Sequence, residues 1–252
     1  MSRSAHIYPL ERTPPEIIAE RLVMGDVGVL DWGAPEYMVF VLVGRADIPP
    51  VTSRMNRIKG RPLEQPLAVA GSSQLAFSMT DLDRSPALKH AARMRQVPLR
   101  QVLDDLFAYP VGVILPAGPR APKAVTGTAD AGAPTVMVVG QRWDADSAGT
   151  LDLFNDVVDI AATEFHVLLA GTSANRTGHG TFSVYQQDEL IGELSDCVDF
   201  IVRRTSLPII ACGEVQSATV WDMTGECPRL VRHGSVDPAE FEPLLGLPRP
   251  VE

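Results

Sequence analysis

Apolar positions at Ile17, Ile18 and Leu22 recur at helical spacing. They follow Thr13, Pro14 and Glu16, which fit the cap, the first turn and the capping-box position of a helix, and Gly25 ends it. Continuous apolar runs at Val27–Leu30 and Met38–Val43 predict strands, and a helix is expected from about Pro50 to Ile58. The polar turn Lys59-Gly60-Arg61-Pro62 comes next, then a short strand at Leu67–Ala70. Arg84–Arg95 and Leu99–Phe107 read as helices. The β-branched run Val111–Leu115, stopped by Pro116, reads as a buried strand. Gly, Pro and Ala fill 116–134, which predicts a long loop. Further expectations are a strand at Thr135–Val139 and a helix at Ser147–Thr163, with Leu151, Phe154, Val158 and Ala162 on one face. A strand at Val167–Ala170 should feed a polar turn from Gly171 to Gly180. Ala218–Asp222 and Leu230–Arg232 close the set of strands, and Asp237, Pro238 and Glu240 start a last helix. Strands and helices interleave without repeats, which predicts one α/β domain over residues 1–252 with a mixed sheet.

Composition narrows the function classes. With 45% hydrophobic residues, the 252-residue chain can bury a sizeable core. Its net charge of -9 argues against a generally basic, nucleic-acid-gripping surface. No run is long enough to span a membrane, and the first ten residues lack the apolar stretch of a signal peptide, so no membrane partner is expected and a cytoplasmic location is. Cys197, Cys212 and Cys227 are far apart and form no C-x-x-C pair, which predicts neither a zinc site nor a disulfide framework.

Three constellations carry candidate chemistry. The junction Leu168-Leu169-Ala170-Gly171-Thr172-Ser173-Ala174-Asn175 opens a buried strand into small polar side chains. Ser173 and Asn175 suit a phosphate or a ribose, and equally suit an ordinary Asx-type turn. Lys59 and Arg61, separated by one glycine, suit a polyphosphate clamp or a solvated basic turn. In the third, Ser217 opens a strand that ends in Asp222, and Arg232 follows; Asp222 and Arg232 are expected to pair across neighbouring strands. Asp144, Asp146 and Ser147 suit either magnesium or a helix cap, and His179 sits between glycines in the polar turn. Neither a P-loop nor a Rossmann glycine fingerprint is present.

Taken in order, these pieces resemble the YrdC-like family of threonylcarbamoyl-adenylate synthases. Lys59, Arg61, Pro66 and Leu67 match its Lys-x-Arg turn with Pro-Leu. Val139, Gly140 and Arg142 match its Val-Gly-x-Arg. Gly171 through Gly178 match its Thr-Ser-Ala-Asn turn, and Ser217, Thr219, Asp222, Arg232 and Gly234 resemble its closing Ser-Thr-x-x-Asp and Arg-x-Gly. The likeness covers about residues 17–236. It implies a twisted mixed sheet with flanking helices around a large concave cavity. It also implies ATP-dependent formation of a carbamoyl-adenylate, with ATP, bicarbonate and an amine or amino acid as substrates and Mg2+ accompanying ATP. Transfer RNA or double-stranded RNA is the implied macromolecular partner, and a non-catalytic nucleotide- or RNA-binding protein is the alternative. The nucleotide and its phosphates would be held by Lys59, Arg61, Arg142, Thr172, Ser173, Asn175, Ser217 and Arg232.

The departures gather on the amino-acid side. Asp31, Trp32 and Tyr37 stand where the family has a threonine-rich Tyr-Gly-Leu motif. Ala70 replaces a histidine, and the stretch ending at Gly112 lacks a threonine. A site without those hydroxyls discriminates poorly for threonine, and the bulkier, partly acidic lining expected from Trp32, Glu36 and Tyr37 suits another or a more basic amine.

Overall fold

The computed structural model describes residues 4–32, 38–71, 74–130, 132–141, 153–206 and 217–247. The amino-terminal segment forms strand β1 (His6–Pro9) and helix α1 (Pro15–Val23). Thr13 does not cap this helix: its hydroxyl donates to the Pro9 carbonyl at 2.7 Å, and the helix starts on Pro15, whose φ and missing N–H suit a first turn. Strands β2 (Gly28–Trp32) and β3 (Val39–Arg45) lead to α2 (Pro49–Ile58), β4 (Ala68–Ala70) and α3 (Gln74–Ser78). Helix α4 (Pro86–Arg95) begins where the Ser85 hydroxyl accepts from the Leu88 amide at 3.2 Å, two residues later than the apolar pattern implied. Then come α5 (Leu99–Leu106), β5 (Val111–Pro116), β6 (Thr126–Thr128), β7 (Pro134–Gly140) and α6, described from Leu153 to Thr163. The carboxy-terminal part holds β8 (Leu169–Ser173), α7 (Gln187–Leu194), β9 (Phe200–Arg203), β10 (Thr219–Asp222), β11 (Arg229–Arg232) and α8 (Pro238–Phe241).

All of these strands belong to one sheet. Its order is β1-β9-β2-β3-β8-β4-β7-β5-β10-β11, with β6 beside β7. Pairing is mixed: β4 runs parallel to β7 and β10 to β5, whereas β3, β8 and β4 alternate in direction. Side chains alternate across the sheet. Phe40 and Leu42 join the core beneath α4 and α5, while Val39, Val41 and Val43 join the core beneath α1 and α6. Burial on both faces explains why β3 reads as an unbroken apolar run. Among the described residues no helix is long and apolar enough to cross a membrane.

Candidate functional site

On the face that carries α1 and α6, these helices pack against β2 and β3. Beside them the sheet lies open and floors a cavity of about 130 Å³. Alternate residues of successive strands form that floor: Val39 and Val41 on β3, Gly171 and Ser173 on β8, Ala68 and Ala70 on β4, Met137 and Val139 on β7. Glycine and alanine at the centre create the concavity. A Cβ at Gly171 would already stand 3.2 Å from the Ala70 Cβ. Trp32 from β2 and Phe154 from α6 make an aromatic wall, with ring centroids 6.2 Å apart. On the far side Ser217, Ala218 and Arg232 close the cavity, and Arg61 and Pro66 bound it from the loop after α2.

The cations are placed by backbone turns. Lys59 caps α2, and Gly60 follows at φ +66, a left-handed turn that favours glycine and swings Arg61 back toward the sheet. The Lys59 ammonium is buried and reaches the end of β8. It donates to the carbonyls of Ser173 and Asn175 at 2.6 Å each, to Ser173 Oγ at 3.0 Å and to Asn175 Oδ1 at 3.1 Å. Burial, with Arg61 and Arg232 nearby, lowers its pKa to about 8. Arg61 donates from Nε to Asn56 Oδ1 at 2.6 Å, and its buried Nη2 has no partner among the described residues. Burial also pulls the Arg61 guanidinium below its ordinary value. Arg232 donates from Nε and Nη2 to the Ala218 carbonyl at 3.0 and 2.9 Å. Among the described residues none of these three cations forms an ion pair, and no carboxylate lines the cavity. Such a cluster is arranged for an incoming anion.

The sequence-derived site residues divide accordingly. Arg61, Thr172, Ser173, Ser217 and Arg232 line the cavity, and Lys59 and Asn175 stand directly behind Ser173. Thr172 and Ser173 belong to strand rather than turn, because β8 runs on to pair Ser173 with Val41. Asn175 closes its own turn, donating to the His179 carbonyl at 2.6 Å, while its oxygens hold Lys59. Arg142 lies outside the described residues, as do Tyr37, Asp144, Asp146 and Ser147.

Asp222 does not pair with Arg232. A register shift between Val220 and Trp221 sets Asp222 opposite Arg229, which it binds at 2.9 Å.

Of the residues that stand in place of the family's amino-acid motifs, Trp32 and Ala70 line the cavity. Asp31 does not: alternation along β2 turns it to the opposite face from Trp32, where it is buried in an ion pair with Arg204. Gly112 is also absent from the lining. It lies one strand beyond Val139, and a Cβ there would meet Val220 Cγ2 at 3.1 Å and Val139 Cγ2 at 3.4 Å. The acidic part of the expected lining, Glu36, lies outside the described residues.

One site residue escaped the sequence reading. Asn56, 1% exposed on α2, donates from Nδ2 to the carbonyls of Leu63 and Gln65 at 2.8 Å each and receives Arg61 on its oxygen. Its signal was a carboxamide beside Val51, Thr52 and Met55 on the buried stripe of the helix.

Fold and site together define an α/β protein whose open sheet face carries a cavity with an aromatic wall and a cationic rim. The same fold is seen in Sua5 of P. abyssi complexed with L-threonine, with a TM-score of 0.65 and 20% identity over 97% of this chain and 61% of that one. E. coli YciO matches at a TM-score of 0.62 and 16% identity, covering 97% of this chain and 100% of that one. HypF of T. kodakarensis matches at 0.56 and 15% identity, with 88% of this chain aligned to 24% of that one. The chain thus spans about three fifths of the length of Sua5. No protein-family model matches the chain, and no curated protein matches it. The YrdC-like fold that the motifs implied is the fold of this chain.

Proposed function

We propose that the chain is an ATP-using transferase that forms a carbamoyl-adenylate. The observation that carries this reading is the gathering of Arg61 and Arg232 at one cavity with Lys59 behind its Ser173 wall, and among the described residues no carboxylate neutralises them. A triphosphate supplies the missing charge, and the buried, unpartnered Arg61 Nη2 supplies a free donor. In the reaction, an amine nitrogen attacks the carbon of bicarbonate and water is lost, giving a carbamate. A carbamate oxygen then attacks the α-phosphorus of ATP. The α–β bridging P–O bond breaks, and pyrophosphate leaves with its electron pair. Arg61 and Arg232 are suited to the charge that grows on the leaving pyrophosphate, and the hydroxyls of Ser173 and Ser217 to orienting the α-phosphate. Magnesium enters this reading with the nucleotide, and Asp144 and Asp146, the candidates for holding it, lie outside the described residues. The fold shared with a protein solved with L-threonine bound supports the amino-acid half of the reaction.

The test is calorimetric titration of ATP into the wild type and into the folded Arg61→Ala/Arg232→Ala double variant. Two charge-assisted contacts of about 1.5–3 kcal/mol each imply at least a hundredfold loss of affinity. Unchanged affinity in the folded double variant sinks the nucleotide assignment.

A second reading, nucleotide or double-stranded RNA binding without turnover, is favoured by Lys59. Its ammonium already serves four protein acceptors. Pyrophosphate release from ATP and bicarbonate across an amino-acid panel separates the two: turnover with any amino acid supports the enzyme, and ATP binding without turnover supports the binder.

A further inference from the structure

Resting on the transferase reading, we infer that the amino acid joined to bicarbonate carries an apolar side chain, seated against Trp32 and Phe154. Strand order sets Trp32 and Arg232 far apart in the sheet. Trp32 is on β2 and Arg232 on β11, with β3, β8, β4, β7, β5 and β10 between them. Of the hydroxyl-bearing residues that line the cavity, Ser173 accepts from Lys59, Ser217 adjoins the carbonyl that holds Arg232, and Thr172 precedes Ser173 on β8. Trp32, Phe154, Val39, Val41 and Ala70 supply an apolar stretch of the lining, in which Val41 pairs with Ser173 across β3 and β8. Among the described residues no carboxylate or carboxamide lines the cavity.

Among the described residues that lining offers a basic side chain no counter-charge, and its ammonium would lie beside cations. The side chains of Trp32, Phe154, Val39, Val41 and Ala70 carry no acceptor for the proton of a threonine hydroxyl. Trp32, which lines the cavity, keeps a buried Nε1–H without a partner among the described residues. A donor-only group fits an oxygen of the substrate carboxylate or carbamate, and leaves the side chain to the apolar wall. Floor residues Ala70 and Gly171 leave room for a branched or aromatic group above them.

Pyrophosphate release with ATP and bicarbonate is measured for valine, isoleucine, leucine, phenylalanine, threonine and lysine, beside ATP calorimetry on the same protein. At least one apolar amino acid is expected to exceed threonine about tenfold or more in kcat/KM, the range one buried group commands, with lysine inert. Trp32→Leu is expected to lower turnover of the preferred amino acid while ATP affinity stays within about twofold. Ala70→Val, which fills the floor, should shift preference toward the smallest apolar side chain and is the readout if the tryptophan variant does not fold. A preference for threonine or lysine overturns the inference and leaves the transferase reading standing. So does a tenfold loss of ATP affinity in Trp32→Leu, which would assign the aromatic wall to adenine. Binding of ATP without turnover of any amino acid overturns both, and failure to bind ATP removes the transferase reading first.

Discussion

Lys59 does two things at once. It ties α2 to the end of β8, and it places a positive charge behind Ser173 in a position where burial makes that charge costly. With a pKa lowered from 10.5 to about 8, the folded chain releases this proton earlier than the unfolded one. Lys59 therefore contributes a rise in stability with pH between about 8 and 10.5, where the unfolded state still binds the proton. Anion binding runs the other way. A phosphate beside the cluster favours the ammonium, so ATP affinity should weaken as pH rises through 8, and binding near pH 8.5 should take up a proton. Calorimetry in buffers of different ionisation enthalpy reads that uptake directly; equal heats in all buffers would show that Lys59 is uninvolved. Asn56 works at the same scale. Removing its carboxamide strands the Leu63 and Gln65 carbonyls and frees Arg61. Asn56→Ala should cost about 2–4 kcal/mol of stability in urea unfolding. In the protein that remains folded, it should weaken ATP binding without Asn56 touching the nucleotide.

At the scale of elements, β2 shows how one strand serves two faces. Trp32 turns to the cavity, and Asp31 turns away to Arg204. Burial pushes the Asp31 carboxyl up, and the Arg204 guanidinium pulls it back. Breaking such a buried pair is expensive, so Asp31→Ala should destabilise by about 3–5 kcal/mol in thermal or urea unfolding, with ATP affinity of the folded fraction unchanged. A loss of ATP affinity instead would return Asp31 to the site. Gly112→Thr, which restores the residue type of the resembled family, meets Val220 and Val139 and should cost about 1–3 kcal/mol through overpacking.

The same elements show what could be read from sequence. Lys59, Arg61, Ser173 and Arg232 were legible because short motifs fix them relative to their own strand or helix. Asp31 and Trp32 were legible as neighbours, but the face each takes depends on register, which only the pairing of β2 with β3 settles. The Asp222 partner failed for a like reason, a register shift within β10 and β11. Strands β1 and β9 carried too few residues for a periodicity, yet they pair with one another across most of the chain. The small helix α3 and strand β6 were hidden in segments rich in Gly, Pro, Ser and Ala.

For the whole molecule, one sheet holds every named strand, and its neighbours are rarely consecutive in sequence. Unfolding should accordingly be a single transition, with far-UV and near-UV circular dichroism coinciding; separated midpoints would reveal independent units. The place of β8 has a further consequence during synthesis. Val39–Arg45 emerges early as an apolar strand, and its partner on one side, Leu169–Ser173, is more than a hundred residues downstream. At about 5–20 residues per second, that edge waits on the order of ten seconds on the ribosome before it can be paired. Through that interval a nascent chain carries a long, uncovered, aggregation-prone edge, the kind that holdase chaperones shield. Slowed elongation between β3 and β8 should thus lower the soluble yield more than slowed elongation after Ser173, when the gap in the sheet has been filled.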